Sequence, residues 1–183
     1  MKITNYLLQG ENVAFVSSPN RGGFYEEGAL DTIIIHYTAS KNAPSAIQTL
    51  TDVERQVSAH LVIGRDGLIT QLLPFNIIGW HAGVSRWGKR EGFNKYSIGI
   101  EIDNAGLLEE KEGDFVSWFG RNYPPEEVVR GIHRNQTDLC YWHRFPQTQI
   151  DVVEAVCRVL IKAYSINHIL GHEEIAPDRK IDP

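Results

Sequence analysis

A chain of 183 residues with 42% hydrophobic and 22% charged residues has the profile of one globular domain. At that length it buries enough surface to fold without disulfides or a structural metal. Its 18 Lys and Arg against 23 Asp and Glu leave a formal charge of −5, which argues against a duplex nucleic-acid partner, since phosphate binding needs a concentrated basic surface. Cys140 and Cys157 have no metal-motif spacing, and no apolar run approaches the roughly 20 residues that a membrane-spanning helix needs.

Taken in chain order, residues 12–16 read as a short strand and 17–23 as loop. The β-branched run within 31–38 predicts an interior strand buried on both faces, with His36 near its end. Pro44 and Ser45 open an expected helix with Ala46, Ile47, Leu50 and Val53 on one face. Residues 59–63 and 68–73 flank the turn Gly64-Arg65-Asp66-Gly67 as a hairpin. Arg86, Lys89 and Arg90, with Trp87 among them, form a cationic cluster that reads as a solvated loop, a substrate rim being the alternative. Over 97–103, Ile98, Ile100 and Ile102 alternate with Gly99, Glu101 and Asp103, which predicts a strand carrying Glu101 on its less apolar face.

Residues 105–145 hold charged turns, Pro124-Pro125 and scattered aromatics. They are expected to form an insertion packed on the main domain, with a short helix over 126–133. From Thr148, the expected N-cap, Ile150, Val153, Cys157, Leu160 and Tyr164 recur at helical intervals, with Val156 and Ile161 widening the stripe. Cys157 is therefore expected as a buried free thiol. A short extended segment leads into Gly171-His172. The order of elements predicts an α/β domain, bordering on α+β, with a mixed central β-sheet flanked by helices and one domain over 1–183.

The tail from Gly171 to Pro183 carries the densest chemistry. His172 and Asp182 lie ten positions apart, Lys180 two before Asp182, and Pro177 prevents one continuous helix. Spacing alone is a weak signal for a metal site. The tail resembles the closing motif of the zinc N-acetylmuramoyl-L-alanine amidases of the AmpD-like, amidase-2 family, which share a fold with peptidoglycan-recognition proteins. Further segments fit in the same order: Ile34-Ile35-His36-Tyr37-Thr38-Ala39, Ser58-Ala59-His60-Leu61-Val62-Ile63, Asp66-Gly67 with Gln71, Trp80-His81-Ala82-Gly83-Val84-Ser85, then Asn94 and Ser97-Ile98-Gly99-Ile100-Glu101. The resemblance spans roughly 31–104 and 148–183.

That resemblance implies His36, His172 and Asp182 as ligands of one catalytic zinc ion (Zn2+), Glu101 as the catalytic acid/base and Lys180 beside the developing oxyanion. Two imidazoles and a carboxylate leave a fourth zinc position open, the usual catalytic arrangement. His60, His81, Trp80 and Asn104 are secondary candidates for substrate binding. Either histidine could instead orient a ligand through its second ring nitrogen, His60 being the more structural of the two. His133, His143 and His168 have no matched role. The implied reaction is cleavage of the amide between N-acetylmuramic acid and L-alanine in peptidoglycan or a muropeptide, with no nucleic-acid partner and no protein partner predictable. A cytoplasmic location is expected from the lack of an apolar leader, with leaderless export or a phage lysin as alternatives. Trp118, Phe119, Tyr123, Tyr141 and Trp142 in the insertion are candidates for packing or glycan contact, packing being favoured. Two other functions stand beside the main one. A non-catalytic peptidoglycan-binding module would commonly lack part of the ligand set, which is complete here, and a zinc peptidase would more often show His-Glu-x-x-His, which is absent.

Overall fold

The computed structural model describes all 183 residues. Six strands form the central sheet in the order His168–Gly171, Thr32–Tyr37, Ser97–Ile102, Leu61–Ile63, Ile69–Gln71 and Val13–Phe15. The first four are mutually parallel. Ile69–Gln71 reverses against Leu61–Ile63, and Val13–Phe15 follows its direction at the edge. The reversal uses the expected turn: Asp66 Oδ1 accepts from the Leu68 N–H at 3.0 Å, and Gly67 takes a φ of +81° that disfavours other residues.

Parallel strands need cover on both faces. On one face Ile33, Ile98, Ile100, Ile102, Leu61 and Ile63 pack against Val156, Cys157 and Leu160 of the long helix Gln147–Ala163. Val153, Val156, Cys157, Leu160 and Tyr164 pack on the sheet as expected, and Ile150 and Ile161 fall outside that stripe. Val156 and Leu160 are fully buried, while Ile150 and Ile161 are 46% and 45% exposed. Its N-cap is Pro146, not Thr148. A buried polar side chain also anchors the helix: Gln149 Nε2 donates to the carbonyls of Ile63 at 3.0 Å and Asp103 at 3.1 Å, tying the first turn to two strand ends.

On the other face, Ala46 and Leu50 of the helix Ala43–Thr51 meet Ala59, Val62 and Leu72. Asn42 caps that helix, its Oδ1 accepting from Ser45 N–H at 2.9 Å. Asp52 ends it, so Val53, expected on the apolar face, falls in a separate 3-10 turn and is 60% exposed.

The insertion is a second sheet. Asn122–Tyr123, Asp114–Ser117, Leu107–Lys111, Leu139–His143 and Val128–Ile132 form five antiparallel strands around Ala105, Leu108, Tyr123 and Val128. The short helix expected over 126–133 is replaced by a 3-10 turn, Pro125–Glu127, and a strand, Val128–Ile132. Val128, Val129 and Ile132 are β-branched and Gly131 weakens a helix, so the extended form wins once Leu139–His143 offers a partner.

Asn104 sits at the root of this sheet, fully enclosed. Its Nδ2 donates to the His143 carbonyl at 2.9 Å and its Oδ1 accepts from the Gly106 N–H at 2.7 Å. It joins the two ends of the insertion, and the expectation that it touches substrate is corrected. The cationic cluster is likewise structural in part. Arg90 forks onto both oxygens of Asp31 at 2.8 and 2.9 Å, and Trp87 lies edge-on to His168 at 4.7 Å. No helix is long and apolar enough to cross a membrane.

Candidate metal centre

Parallel pairing places the chemistry at the carboxyl end of the sheet's parallel strands. His36 and Glu101 are partners across neighbouring strands, so their side chains share a face, each one residue from its strand's end. Gly171 pairs with Ile35, and His172 then opens the four-residue helix His172–Ile175 beside them. The helix stops before Pro177, and the tail returns to bring Asp182 to the same point. A crevice beyond the carboxyl ends of parallel strands is where such sheets hold ligands.

His36, His172 and Asp182 are all buried, and each offers one ligand atom within 4.8 Å of the others. A backbone acceptor assigns the tautomers of His81 and, through it, His36. His81 Nε2 donates to the Ser97 carbonyl at 3.2 Å, so His81 Nδ1 accepts from His36 Nε2 at 2.9 Å. His172 Nε2 lies between the Ala82 carbonyl at 3.3 Å, an acceptor, and Arg179 Nη2 at 3.2 Å, a donor. His36 Nδ1 is left as a lone pair and faces His172 Nδ1 across 2.8 Å. Two acceptors at that separation repel unless a cation or proton lies with them.

Asp182 adds negative charge: its Oδ2 lies 4.0 Å from His172 Nδ1 and accepts from the Tyr37 N–H at 3.3 Å. Asp182 Oδ1 and Glu101 Oε2 are buried without a hydrogen-bond partner in the protein. Facing imidazole nitrogens beside orphaned carboxylate oxygens fit a divalent cation, and this donor set could hold one.

Electrostatics agree with that fit. Burial drives His36 well below its ordinary pKa, with His81 and His172 adding to the effect, and drives His172 down to about 3, with Lys180 and Arg179 adding. Both imidazoles are therefore neutral, the form that ligates. Burial raises Asp182 to about 6, against the pull of Lys180 and the Tyr37 N–H. It raises Glu101 to about 8, with Asp182 adding and Lys180 opposing.

The cluster forms the floor of a cavity of about 710 Å³ that Glu101, Lys180, Trp80 and His81 also line. His81 reaches His36 because Gly99 lies beneath it: a Cβ on Gly99 would sit 2.5 Å from the His81 ring. Asn94 Oδ1 fixes the loop above by accepting from the N–H groups of His81 at 3.0 Å and Ala82 at 2.7 Å. His60, expected as a secondary substrate contact, does not line this cavity. It is fully buried, with Nε2 donating to Ile77 O at 2.8 Å and Nδ1 accepting from Gly99 N–H at 3.0 Å. Sequence spacing missed His133, whose Nε2 donates to the Asp182 carbonyl at 3.0 Å from the inserted sheet. It also missed Arg179, which donates to the Ala82 and Val84 carbonyls and clamps the Trp80–His81 loop to the tail.

Comparison with known proteins gives a consistent result. Residues 26–183 match the N-acetylmuramoyl-L-alanine amidase family. The chain is 34% identical over 130 residues to the 1,6-anhydro-N-acetylmuramyl-L-alanine amidase AmpD of Escherichia coli (strain K12), covering 70% of this chain and 52% of that protein. It is 29% identical over 163 residues to the N-acetylmuramoyl-L-alanine amidase AmiD of the same organism, covering 84% and 49%. The chain thus spans about half the length of the curated relatives it matches. Among solved structures, a selenomethionine derivative of AmpD superposes with a TM-score of 0.69 at 26% identity, covering 100% of this chain and 92% of that one. E. coli AmiD in complex with anhydro-N-acetylmuramic acid-L-Ala-D-gamma-Glu-L-Lys superposes with a TM-score of 0.63 at 29% identity, covering 87% and 53%.

Proposed function

Because the chain belongs to the N-acetylmuramoyl-L-alanine amidase family, we propose that it is a zinc hydrolase cutting the amide bond between N-acetylmuramic acid and L-alanine in peptidoglycan or muropeptides. The observation that carries this is the convergence of His36, His172, Asp182, Glu101 and Lys180 on one open cleft. Two imidazole nitrogens and one carboxylate suit zinc and leave a coordination position free. Bound there, the ion supplies Lewis acidity toward water and an amide carbonyl at neutral pH.

The chain's own groups do the rest. Glu101 Oε2, at the cleft floor, takes a proton from the attacking water and delivers it to the departing amine of L-alanine. As the C–N bond breaks, the water oxygen remains on the lactyl carbonyl carbon. The Lys180 ammonium stabilises the negative charge that builds on the carbonyl oxygen. Trp80 and His81 wall the cleft where substrate seats, and His81 keeps the His36 lone pair aimed inward.

The test is incubation of the zinc-loaded protein with a purified muropeptide, followed by mass spectrometry. A released stem peptide with a free L-alanine amino terminus is expected. Recovery of intact substrate from metal-replete protein overturns the assignment.

A further inference from the structure

Trp118 is 73% exposed, yet its position is fixed. It follows the strand Asp114–Ser117 in a tight turn closed by Ser117 N–H on Arg121 O at 2.9 Å, with Gly120 at φ +82°. The indole Nε1 donates to the Ala39 carbonyl at 3.0 Å, and the ring stands edge-on to Phe119 at 5.4 Å. Ala39 adopts a φ of +48°, a left-handed conformation uncommon for a residue with a Cβ. The loop leaving the His36 strand and the turn of the inserted sheet are thus latched together.

The latch uses the only polar group of the indole. What Trp118 offers outward is an apolar, oriented ring, and it lines the same cavity as His36, Glu101 and Asp182. Thr38, Ser40, Lys41 and Ser45 line that cavity too, the three hydroxyls donating within the protein to Asn104 O, Thr38 Oγ1 and Asn42 O. A flat apolar ring matches the face of a sugar ring, which presents C–H groups there. The cleft also has length. The helix Ala43–Thr51 begins beside the Ala39 latch and ends near Val57 and Ser58, whose Oγ accepts from the Trp80 N–H at 2.9 Å. Nine residues of helix span about 13 Å, which exceeds one sugar ring.

We propose that the inserted sheet builds a saccharide subsite at Trp118, which takes a pyranose ring against the indole and favours substrates carrying a sugar beyond the muramyl residue. This rests on the amidase assignment of the cleft, and names the substrate class within it. The indole is pre-organised, so little ordering cost opposes binding.

The experiment compares two muropeptides with the same stem peptide, one on N-acetylmuramic acid alone and one on the N-acetylglucosaminyl-N-acetylmuramic acid disaccharide. The zinc-loaded full chain is expected to favour the disaccharide form by about tenfold in kcat/KM. Trp118→Ala brings the ratio near one, with the loss carried by KM, and Trp118→Phe restores most of it. Calorimetry with the peptide-free disaccharide gives a second readout, with binding to Trp118→Ala expected about tenfold weaker. An unchanged ratio in Trp118→Ala overturns the proposal, as does an equal slowing of both substrates or weaker binding of the free stem peptide in place of the disaccharide. Cleavage of both substrates without preference sinks the subsite and leaves the amidase assignment standing. Trp118-dependent disaccharide binding without any cleavage does the reverse.

Discussion

Burial lifts the Glu101 carboxyl to about 8, so the group exchanges its proton near neutral pH, as a general acid/base must. Replacing it with glutamine keeps the shape and removes that exchange. Glu101→Gln should lose about 10²–10⁴-fold in kcat while zinc content, read by metal analysis, stays at one per chain; near-normal turnover would discard the role. His81 acts one step further out, through His36 Nε2. His81→Ala should weaken zinc binding by about 10–100-fold in a chelator competition. Gly99→Ala should do likewise, because the added Cβ would strike the His81 ring; unchanged affinity in both variants would remove His81 from this role. His60 makes a different prediction, about stability. Burial lowers it to about 4, so as pH falls below the unfolded value near 6.5 the unfolded chain takes the proton first. Its contribution is complete above 6.5, erodes as pH falls toward 4 and amounts to about 3 kcal/mol in all. The His60 ring should remain neutral by NMR down to about pH 4. A titration near 6.5 in the folded protein would refute the linkage.

The long helix shows how an element is specified and where its sequence pattern stops informing. Leu160 is fully buried against the sheet, and Leu160→Ala should cost about 2–5 kcal/mol in urea unfolding. Ile161, although apolar and adjacent, is 45% exposed, and Ile161→Ala should cost under about 1 kcal/mol. Similar losses at the two positions would mean the helix packs by another face. Periodicity located this helix and the strands Thr32–Tyr37 and Ser97–Ile102, because a continuous apolar pattern encodes burial directly. It misplaced only Ile150 and Ile161, and it gave no sign of Gln149, a buried polar residue whose partners are carbonyls 86 and 46 residues away. The inserted sheet escaped for a related reason. Its short strands have exposed faces and are defined by pairing with one another, so no single segment declares itself. That His36, His172, Asp182, Glu101 and Lys180 meet at one cavity was legible through motif order. Asn104 and His60 belong to the same motifs, yet serve as internal hydrogen-bonding braces, a distinction that only the fold draws.

Across the whole molecule, the proposed zinc ion would link parts of the chain far apart in sequence: the sheet through His36, the start of the short helix through His172 and the tail through Asp182. The tail is otherwise held by few groups, chiefly the Tyr37 N–H and His133 on Asp182, and Arg179 on the Ala82–Val84 segment. A ligand that binds only the folded form stabilises it by mass action, about 4 kcal/mol at a thousandfold excess over Kd. For a domain of this size each kcal/mol moves Tm by roughly 2–4 °C. Removing the metal with a chelator should therefore lower Tm by about 10 °C, and restoring zinc should recover it. The loss should also be uneven. Amide exchange should accelerate first over residues 176–183, where the facing imidazole nitrogens and the Asp182 carboxylate would lose the cation that joins them. The strands beneath should keep their protection, because Ile33, Ile98 and Ile100 are sealed under the long helix and do not depend on the ion. A Tm indifferent to chelator would separate the ligand cluster from folding and sink this coupling. A uniform loss of protection would show that the ion supports the whole sheet and not the closure of the tail.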